Sequence, residues 1–334
     1  MPGTYNQIDI AVDQNASNIL LGVVPNPNDY AWKMFFPDAA APSKAGNLKR
    51  LGTQLMRIVK TKASHSATEP FVYYGMDTTT GWSLELDALQ DMVTLDDVEQ
   101  FLGNRQIAEQ NAQAAVKIFL ENRQEYDVST ALRTAASYSS GFTKDLTGVG
   151  EYKWSDTTSG NPVKDIEDGM QAVEDGIVGH KPNKCSMSTK TWRYLKNHPK
   201  MLAALGTMYK ENRSNPVTIQ EFASYFGFDE VKVSANKYND IEIGDTSDNW
   251  TSFWGADFIM AYVDSNPQPN ITNAKYSLGY DFYADYGVFK NFKAIVADSY
   301  MLDSPKGASV ARVMKKHDIV IVTYDAGYCI KNCY

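Results

Sequence analysis

Residues 154–200 read WSDTTSGNPVKDIEDGMQAVEDGIVGHKPNKCSMSTKTWRYLKNHPK and alternate helix and strand signals in a fixed order. Asn161 with Pro162 is typical of a helix N-terminus, and Gly179 of a C-terminus. The face between them repeats apolar residues at helical spacing: Ile166, Met170, Val173 and Ile177. KCSMS then predicts a strand, and a second helix begins near Thr189. The stretch therefore predicts an α/β unit.

The chain beyond residue 198 continues this unit and then becomes rich in strand formers. Pro199 opens a short helix, and Thr218 with Glu221 forms a capping box for another that ends at Gly227. Strong β signals follow in EVKVS (230–234) and TSFWGADFIMAYV (251–263), then over 276–290, 292–300 and 312–330, with a turn at 325–327. The fold class predicted is a mixed α+β architecture.

Upstream of residue 154 the sequence predicts elements that project from a core. Thr94 with Asp97 caps a helix that runs to about Tyr126, a length of about 45 Å. TQLMRIVKTK (53–62) and EPFVYYGM (69–76) predict a long β-hairpin with His65 near its tip. Residues 1–45 show neither helical nor strand periodicity and predict an extended arm. Its larger apolar residues should pack outside the arm, a neighbouring subunit being one candidate: Leu20, Leu21, Trp32, Phe35 and Phe36.

Composition limits the classes of protein to consider. The chain has 334 residues, of which 43% are hydrophobic and 22% charged, so it can bury a sizeable core, in roughly two domains. The formal net charge of −8 excludes the broad positive field of a dedicated nucleic-acid binder. No apolar run approaches the ~20 residues of a membrane helix, so we expect a soluble protein without membrane contact. The first basic residue is Lys33, which argues against a secretion signal.

Charge is distributed unevenly around the predicted hairpin. Residues 33–62 contain seven basic residues and one acid, whereas residues 63–103 contain eight acids and no Lys or Arg. Two interpretations stay open. The stretches neutralise one another within a subunit, or a basic hairpin lies over an acidic region of the next subunit.

No residue is assigned a catalytic, cofactor-binding or metal-binding role. GxSxG, GxxxxGK[ST], GxGxxG and HExxH are all absent, and the four histidines (His65, His180, His198 and His317) are scattered. The acidic pairs Asp165/Asp168 and Glu174/Asp175 are best explained as solvated helix faces. Cys329 and Cys333 would lie about 13 Å apart along a strand, too far for a disulfide. A zinc site there is conceivable, but we favour packed, reduced thiols for these two and Cys185.

Taken in order, these features resemble the major capsid proteins of tailed bacteriophages, whose fold is shared with encapsulins and the herpesvirus capsid floor. The resemblance covers most of the chain. Its first part is carried by Trp154, Ser155, Asp156, Asn161, Pro162, Asp165, Ile166, Gly179, Pro182, Asn183, Trp192, Leu195, His198 and Pro199. Its second part is carried by Phe222, Phe226, Gly227, Val231, Val233 and the closing segment AGYCIKNCY (326–334).

The resemblance implies a division of the chain into the parts of such a subunit. Residues 1–45 would form the N-terminal arm, 46–92 the extended hairpin loop, and 93–165 the peripheral domain with a spine helix over 94–126. Residues 166–270 would form the axial domain, and 271–334 would return strands to the peripheral domain.

It also implies a structural protein, not an enzyme, that needs no cofactor. Subunits would assemble through pentamers and hexamers into an icosahedral shell enclosing double-stranded DNA without sequence-specific binding. The shell would become the virion capsid after assembly in the host cytoplasm. Because no long helical extension precedes the arm, a separate scaffolding protein is expected, with a portal and possible decoration proteins. An encapsulin-like compartment and a two-domain soluble enzyme of unrecognised type are the alternatives.

Overall fold

The computed structural model describes residues 30–48, 50–51, 76–77, 80–101, 103–176, 179–209, 215–239, 249–265, 276–286, 296–301 and 308–334. Most of the predicted hairpin, including His65, lies outside these residues, as do Leu20 and Leu21. The described base of the hairpin is antiparallel, with Ala45–Asn47 paired to Gly81–Ser83 and Arg50–Leu51 paired to Met76–Asp77.

The described residues contain seven α-helices and a 3₁₀ turn at Ala135–Ser137. The helices are α1 (Trp32–Phe35), α2 (Leu95–Gln100), α3 (Arg105–Arg133), α4 (Pro162–Asp175), α5 (Thr189–Lys196), α6 (Pro199–Tyr209) and α7 (Ile219–Phe226).

Sixteen strands accompany them. In chain order they are β1 (Asp38–Ala41), β2 (Ala45–Asn47), β3 (Arg50–Leu51), β4 (Met76–Asp77), β5 (Gly81–Ser83), β6 (Glu85–Val93), β7 (Thr143–Asp145), β8 (Lys184–Ser188), β9 (Glu230–Ser234), β10 (Lys237–Asn239), β11 (Trp250–Ser252), β12 (Phe258–Ala261), β13 (Gly279–Ala284), β14 (Val296–Met301), β15 (Ser309–Ile321) and β16 (Gly327–Lys331).

The first sheet is built around the long strand β15. Strand β6 pairs with one edge of β15. Strands β14 and β13 pair with successive parts of its opposite edge, and β1 pairs in parallel with the outer edge of β13. Alternation along β15 sends Ala311 and Val313 toward α3, where Ala108, Val116 and Leu120 pack on them. The long helix therefore lies across one face of this sheet.

The second sheet has the order β7-β16-β12-β8-β9 and carries helices α4 to α7. Its central strand β12 is buried at all four positions. The predicted domain limits cut through this sheet, because β7 and β16 lie outside residues 166–270 yet pair with one another and, through β16, with β12. The closing segment of the chain thus completes the α/β unit.

The local signals in and after the opening motif are confirmed. Asn161 caps α4, Ser188 caps α5, and Thr218 with Glu221 forms the capping box of α7, which Gly227 ends in the left-handed conformation (φ 78°). Two limits differ from expectation. Helix α4 ends at Asp175 rather than at Gly179, and the apparent strand over 251–263 is two strands, β11 and β12, separated by a turn.

The prediction of one continuous helix over 94–126 was wrong. Thr94 and Asp97 do form the capping box, but the helix they start stops at Gln100, and a longer helix continues from Arg105 to Arg133. Gly103 adopts a φ of 75°, and its N–H donates to the Val98 carbonyl, which terminates the first helix. Asn104 then caps the second helix. Apolar residues keep their helical spacing across the break between α2 and α3, so the sequence pattern did not reveal that break.

The arm also departs from its prediction over residues 30–41. Trp32, Phe35 and Phe36 are almost fully buried in the chain's own core, together with residues of α3 and of the second sheet. Strand β1 then joins the first sheet. These aromatic residues need no neighbouring subunit, because the interior of their own chain covers them.

Gly169 permits close contact between α4 and the second sheet. A Cβ there would overlap the Met260 side chain and lie 2.7 Å from Cδ1 of Tyr328. We expect Gly169→Ala to lower the free energy of unfolding by about 1–3 kcal/mol, despite the better helix propensity of alanine. Lys164→Ala, at an exposed position of the same helix, should change it by less than about 0.5 kcal/mol. Equal denaturation midpoints for the two variants would contradict this packing argument.

Candidate subunit-contact surface

Strand β6 is paired along one edge and exposed over most of its length. Among the described residues no strand pairs with its outer edge. Its first eight residues are exposed and only Val93 is buried. Free strand edges carry unpaired backbone groups that readily pair with another chain. β6 is therefore the strongest candidate for a surface that another chain covers.

Apolar side chains are part of this exposed strand. Leu86 and Met92 are 52% and 55% exposed and share the sheet face opposite α3 by strand alternation, while Leu89, 42% exposed, shares the helix face. On α3 itself, Phe119 is 66% exposed. Apolar groups on both faces of one edge are characteristic of surfaces that become buried on association.

We call residues 85–99 the acidic edge, because they contain six carboxylates and no basic residue: Glu85, Asp87, Asp91, Asp96, Asp97 and Glu99. The Asp97 carboxylate accepts hydrogen bonds from Thr94 in the capping box, and these hydrogen bonds lower its pKa. Asp87 contacts His317. The concentration of like charge also discourages the edges of two identical strands from pairing with one another.

A buried charged cluster lies beneath the acidic edge, between α3 and the first sheet. Asp281 of β13 is fully buried and accepts hydrogen bonds from Lys315 Nζ and, at 2.8 Å, from His317 Nδ1. His317 Nε2 lies 3.0 Å from Oδ2 of Asp87 and 3.1 Å from Nε2 of Gln124. Lys315 also lies over the Trp32 ring, 4.6 Å from its centroid. The cluster thus joins the arm, the long helix and the strands β6, β13 and β15.

Glu125 of α3 holds the arm against the helix. Its carboxylate is fully buried and accepts hydrogen bonds from Trp254 Nε1 (2.6 Å), the Trp32 backbone N–H (3.0 Å) and the Ala31 backbone N–H (3.1 Å). Burial raises the pKa of Glu125 to about 7, against the opposite effect of these three donors. The two backbone donors belong to the first turn of α1, so Glu125 acts as a capping group supplied by another helix.

Asp165 is not part of a solvated helix face, which corrects the interpretation of the Asp165/Asp168 pair. Asp165 is buried and accepts hydrogen bonds from Trp154 Nε1 (2.9 Å) and Lys144 Nζ (2.8 Å), whereas Asp168 is exposed. Partial burial lowers the pKa of Lys144, but the hydrogen bonds that Lys144 donates to Asp165 and Glu151 outweigh this effect and keep that pKa above its ordinary value. Glu174 and Asp175 are exposed, as expected.

The described histidines do not converge on a common site. His180 stacks on Tyr262, and His198 is buried, where burial lowers its pKa and its Nδ1 accepts a hydrogen bond from the Lys200 N–H. Cys185, Cys329 and Cys333 are all free and buried, and burial raises the pKa of each thiol. Within the described ranges, no group of three or more His, Cys, Asp or Glu residues could hold a metal ion. No helix of the described part has the length and apolar character that would cross a membrane.

Comparison with known proteins matches this architecture to viral shells. A family model described as phage major capsid protein E matches residues 141–311. The major capsid protein of Burkholderia phage BcepMu is 24% identical over 257 residues, which cover 75% of this chain and 76% of that protein.

Solved structures agree on the fold. A phage-related protein from Bordetella bronchiseptica RB50 has a TM-score of 0.65 at 19% identity, covering 97% of this chain and 96% of its own. The capsid of cyanophage P-SCSP1u gives a TM-score of 0.55 at 8% identity, covering 94% of this chain and 93% of its own.

The fold and the family match together define a structural shell subunit rather than an enzyme. The chain belongs to the phage major capsid protein E family, and it is a major capsid protein of a tailed phage. Its subunits associate into the capsid of the virion. The predicted family and α+β capsid fold are therefore confirmed.

Proposed function

We propose that this subunit assembles through pentamers and hexamers into an icosahedral head that encloses double-stranded DNA without sequence-specific contacts. Assembly takes place in the host cytoplasm, with a separate scaffolding protein and a portal, and decoration proteins are possible additions. The observation that carries the proposal is the exposure of β6, a nine-residue strand with eight exposed residues. A chain built to remain alone would cover such an edge.

Within this shell we assign the parts of the chain as the resemblance implies. Residues 1–45 form the arm, 46–92 the extended hairpin loop, and 93–165 with 271–334 the peripheral domain. Residues 166–270 form the axial domain. The pairing of β16 with β12 supports adding strands β7 and β16 to the axial unit. The burial of Trp32, Phe35 and Phe36 in the core supports an arm that is anchored in its own subunit at these residues.

The unequal charge around the hairpin supports an electrostatic contribution to the contact between subunits. In the proposed contact, the basic stretch 33–62 of one copy lies over the acidic edge of the next. Inside one chain, Asp87 of the acidic edge pairs with His317, and Lys315 and Arg123 also act on it electrostatically.

We therefore expect shell assembly to weaken as salt rises. Exposed charge pairs lose strength as the Debye length shortens to about 8 Å at 0.15 M. Asp91→Lys should raise the protein concentration needed for assembly at low salt and flatten its salt dependence, while Asp175→Lys, exposed on α4, should behave as wild type. Light scattering across a salt series measures both effects. Assembly indifferent to salt in the wild type would exclude the electrostatic contact.

The assembly proposal is tested by imaging. Purified protein, alone and with a candidate scaffold from the same phage, would be sized by light scattering and viewed by negative-stain electron microscopy. We expect ring-shaped capsomers or hollow shells of uniform size. A monomer under both conditions would contradict the proposal, and well-formed shells without any helper would exclude the scaffold requirement. Enzyme cargo copurifying with the shells would favour the encapsulin-like alternative.

A further inference from the structure

His317 stands between carboxylates on two different strands, and this geometry depends on its protonation. Its Nδ1 lies 2.8 Å from Oδ1 of Asp281 on β13, and its Nε2 lies 3.0 Å from Oδ2 of Asp87 on β6. An ionised carboxylate only accepts hydrogen bonds, so both contacts are satisfied together only when both ring nitrogens carry a proton. The doubly protonated imidazolium therefore links β6 to β13 across β15.

Gln124 of α3 offers the neutral ring a different partner. Its amide nitrogen lies 3.1 Å from His317 Nε2, and its carbonyl oxygen is buried without a hydrogen-bond partner. A neutral ring with its proton on Nδ1 keeps the bond to Asp281, while its bare Nε2 accepts from the Gln124 amide. A half-turn of the amide presents the carbonyl to the charged ring instead. Nε2 thus has an acceptor partner for one protonation state and a donor for the other.

Of the two carboxylate contacts of His317, only the contact with Asp87 depends on the proton at Nε2. Asp281 keeps Lys315 as a partner in either state. Asp87 is half exposed, with Arg123 of α3 and Lys315 acting on it only electrostatically, so water can solvate its carboxylate when the imidazolium is lost. Asp318, beside His317, adds negative charge that favours the cation, whereas the positive charge of Lys315 disfavours it.

We propose that His317 is a proton-dependent latch that fastens the hairpin-side end of β6 to the first sheet. With the proton, the ring holds Asp87 and fixes this end of β6. Without it, the ring turns to Gln124 of the long helix, and the end of β6 at Glu85–Asp87 is released.

The direction of the pH response follows from both partners. Burial lowers the pKa of His317, but the hydrogen bonds to Asp281 and Asp87 outweigh it, so the pKa is raised above 6.5. The hydrogen bond from His317 lowers the pKa of Asp87 below 3.8, against the effect of burial. A group with a raised pKa stabilises below its ordinary value and loses that contribution as pH rises through the raised one. The latch is therefore closed below pH 6.5 and opens as pH rises through the raised pKa of His317.

Hydrogen exchange of the full-length, unassembled subunit tests the latch. Peptides covering residues 85–93 would be followed at pH 6 and pH 8.5 after correction for intrinsic exchange rates. We expect wild-type protection in this segment to fall about tenfold or more, the effect of losing one charge-assisted hydrogen bond. Peptides covering β8 should show no such change.

Variants identify the group responsible. His317→Gln should show the low protection of the open state at both pH values, and Asp87→Asn should reduce the pH dependence. His180→Gln, which alters a histidine stacked on Tyr262 away from β6, should keep the wild-type response. Protection in the wild type that does not change with pH, or a pH response that survives in His317→Gln, would overturn the proposal.

Any effect of the latch on assembly rests on the proposed function. The experiments distinguish a failure of the latch from a failure of the assembly proposal. If β6 responds to pH in the subunit and wild-type assembly shifts with pH while His317→Gln does not, the latch acts in shell formation. If the exchange response is present but no shells form under any condition, the assembly proposal fails and the latch stands.

Discussion

Replacement of Glu125 by alanine should cost at least about 3 kcal/mol of the free energy of unfolding, the largest loss expected from any single substitution considered. The change removes the acceptor of three donors: Trp254 Nε1 and the backbone N–H groups of Ala31 and Trp32. All three donors are buried, so removal of the carboxylate leaves them without their acceptor. The attachment of the arm to the long helix should loosen, measured as a lower denaturation midpoint and faster exchange at Ala31 and Trp32.

Two further variants make this result specific. Asp127→Ala, on the exposed side of the same helix, removes only a surface ion pair with Arg123 and should cost less than about 0.5 kcal/mol. Glu125→Gln keeps one acceptor oxygen but turns an amide N–H toward a backbone donor, so its loss should be intermediate. Equal stability of Glu125→Ala and Asp127→Ala would show that the carboxylate does not hold the arm.

The same residue should give the wild type a measurable pH dependence. Because burial raises the pKa of Glu125 from 4.5 to about 7, the folded protein retains a proton that the unfolded chain releases. The wild type should therefore lose stability, relative to Glu125→Gln, as pH rises from 4.5 through about 7. A constant difference between the two proteins over this range would contradict the assignment.

Replacement of Asp165 by alanine should cost about 2–4 kcal/mol. The buried Trp154 Nε1–H loses its acceptor, and Lys144 keeps only Glu151. Trp154 also packs edge-on against Phe258, and its backbone N–H donates to the Cys333 carbonyl, so the loss should spread to the closing segment. Chemical denaturation of the full chain measures the loss.

A matched pair separates this hydrogen bond from general disruption of the helix. Asp168→Ala changes an exposed carboxylate on the same helix and should alter stability by less than about 0.5 kcal/mol. Trp154→Phe removes the indole donor. In that background, Asp165→Ala should lower the free energy of unfolding by less than it does in the wild type. Fully additive losses would mean that the pair is not coupled.

Signals contained within a few residues were predictable from the sequence. The capping box of Thr218 and Glu221, the left-handed Gly227 and the strand KCSMS all depend on near neighbours in the chain. The helix stop at Gly103 was also local, but the continued apolar spacing concealed it, and a single glycine does not reveal its φ.

The buried polar sites could not be derived in this way, because their partners lie far apart in the sequence. Glu125 meets Trp32 and Trp254, and His317 meets Asp87, with no spacing rule to connect them. His317 looked as isolated as His180, and Asp165 looked as solvated as Asp168. The one local hint was Trp154, placed eleven residues before Asp165 within the motif that carried the family resemblance.

We expect β6 and the rest of the acidic edge to become covered when subunits assemble. Hydrogen exchange over residues 85–93, compared between free subunits and purified particles at the same pH, measures this change. We predict a clear gain in protection at β6 in the particles, with the already buried strand β12 unchanged. Equal exchange at β6 in both states would show that β6 is not part of a subunit contact, because this strand would then remain uncovered in the finished shell.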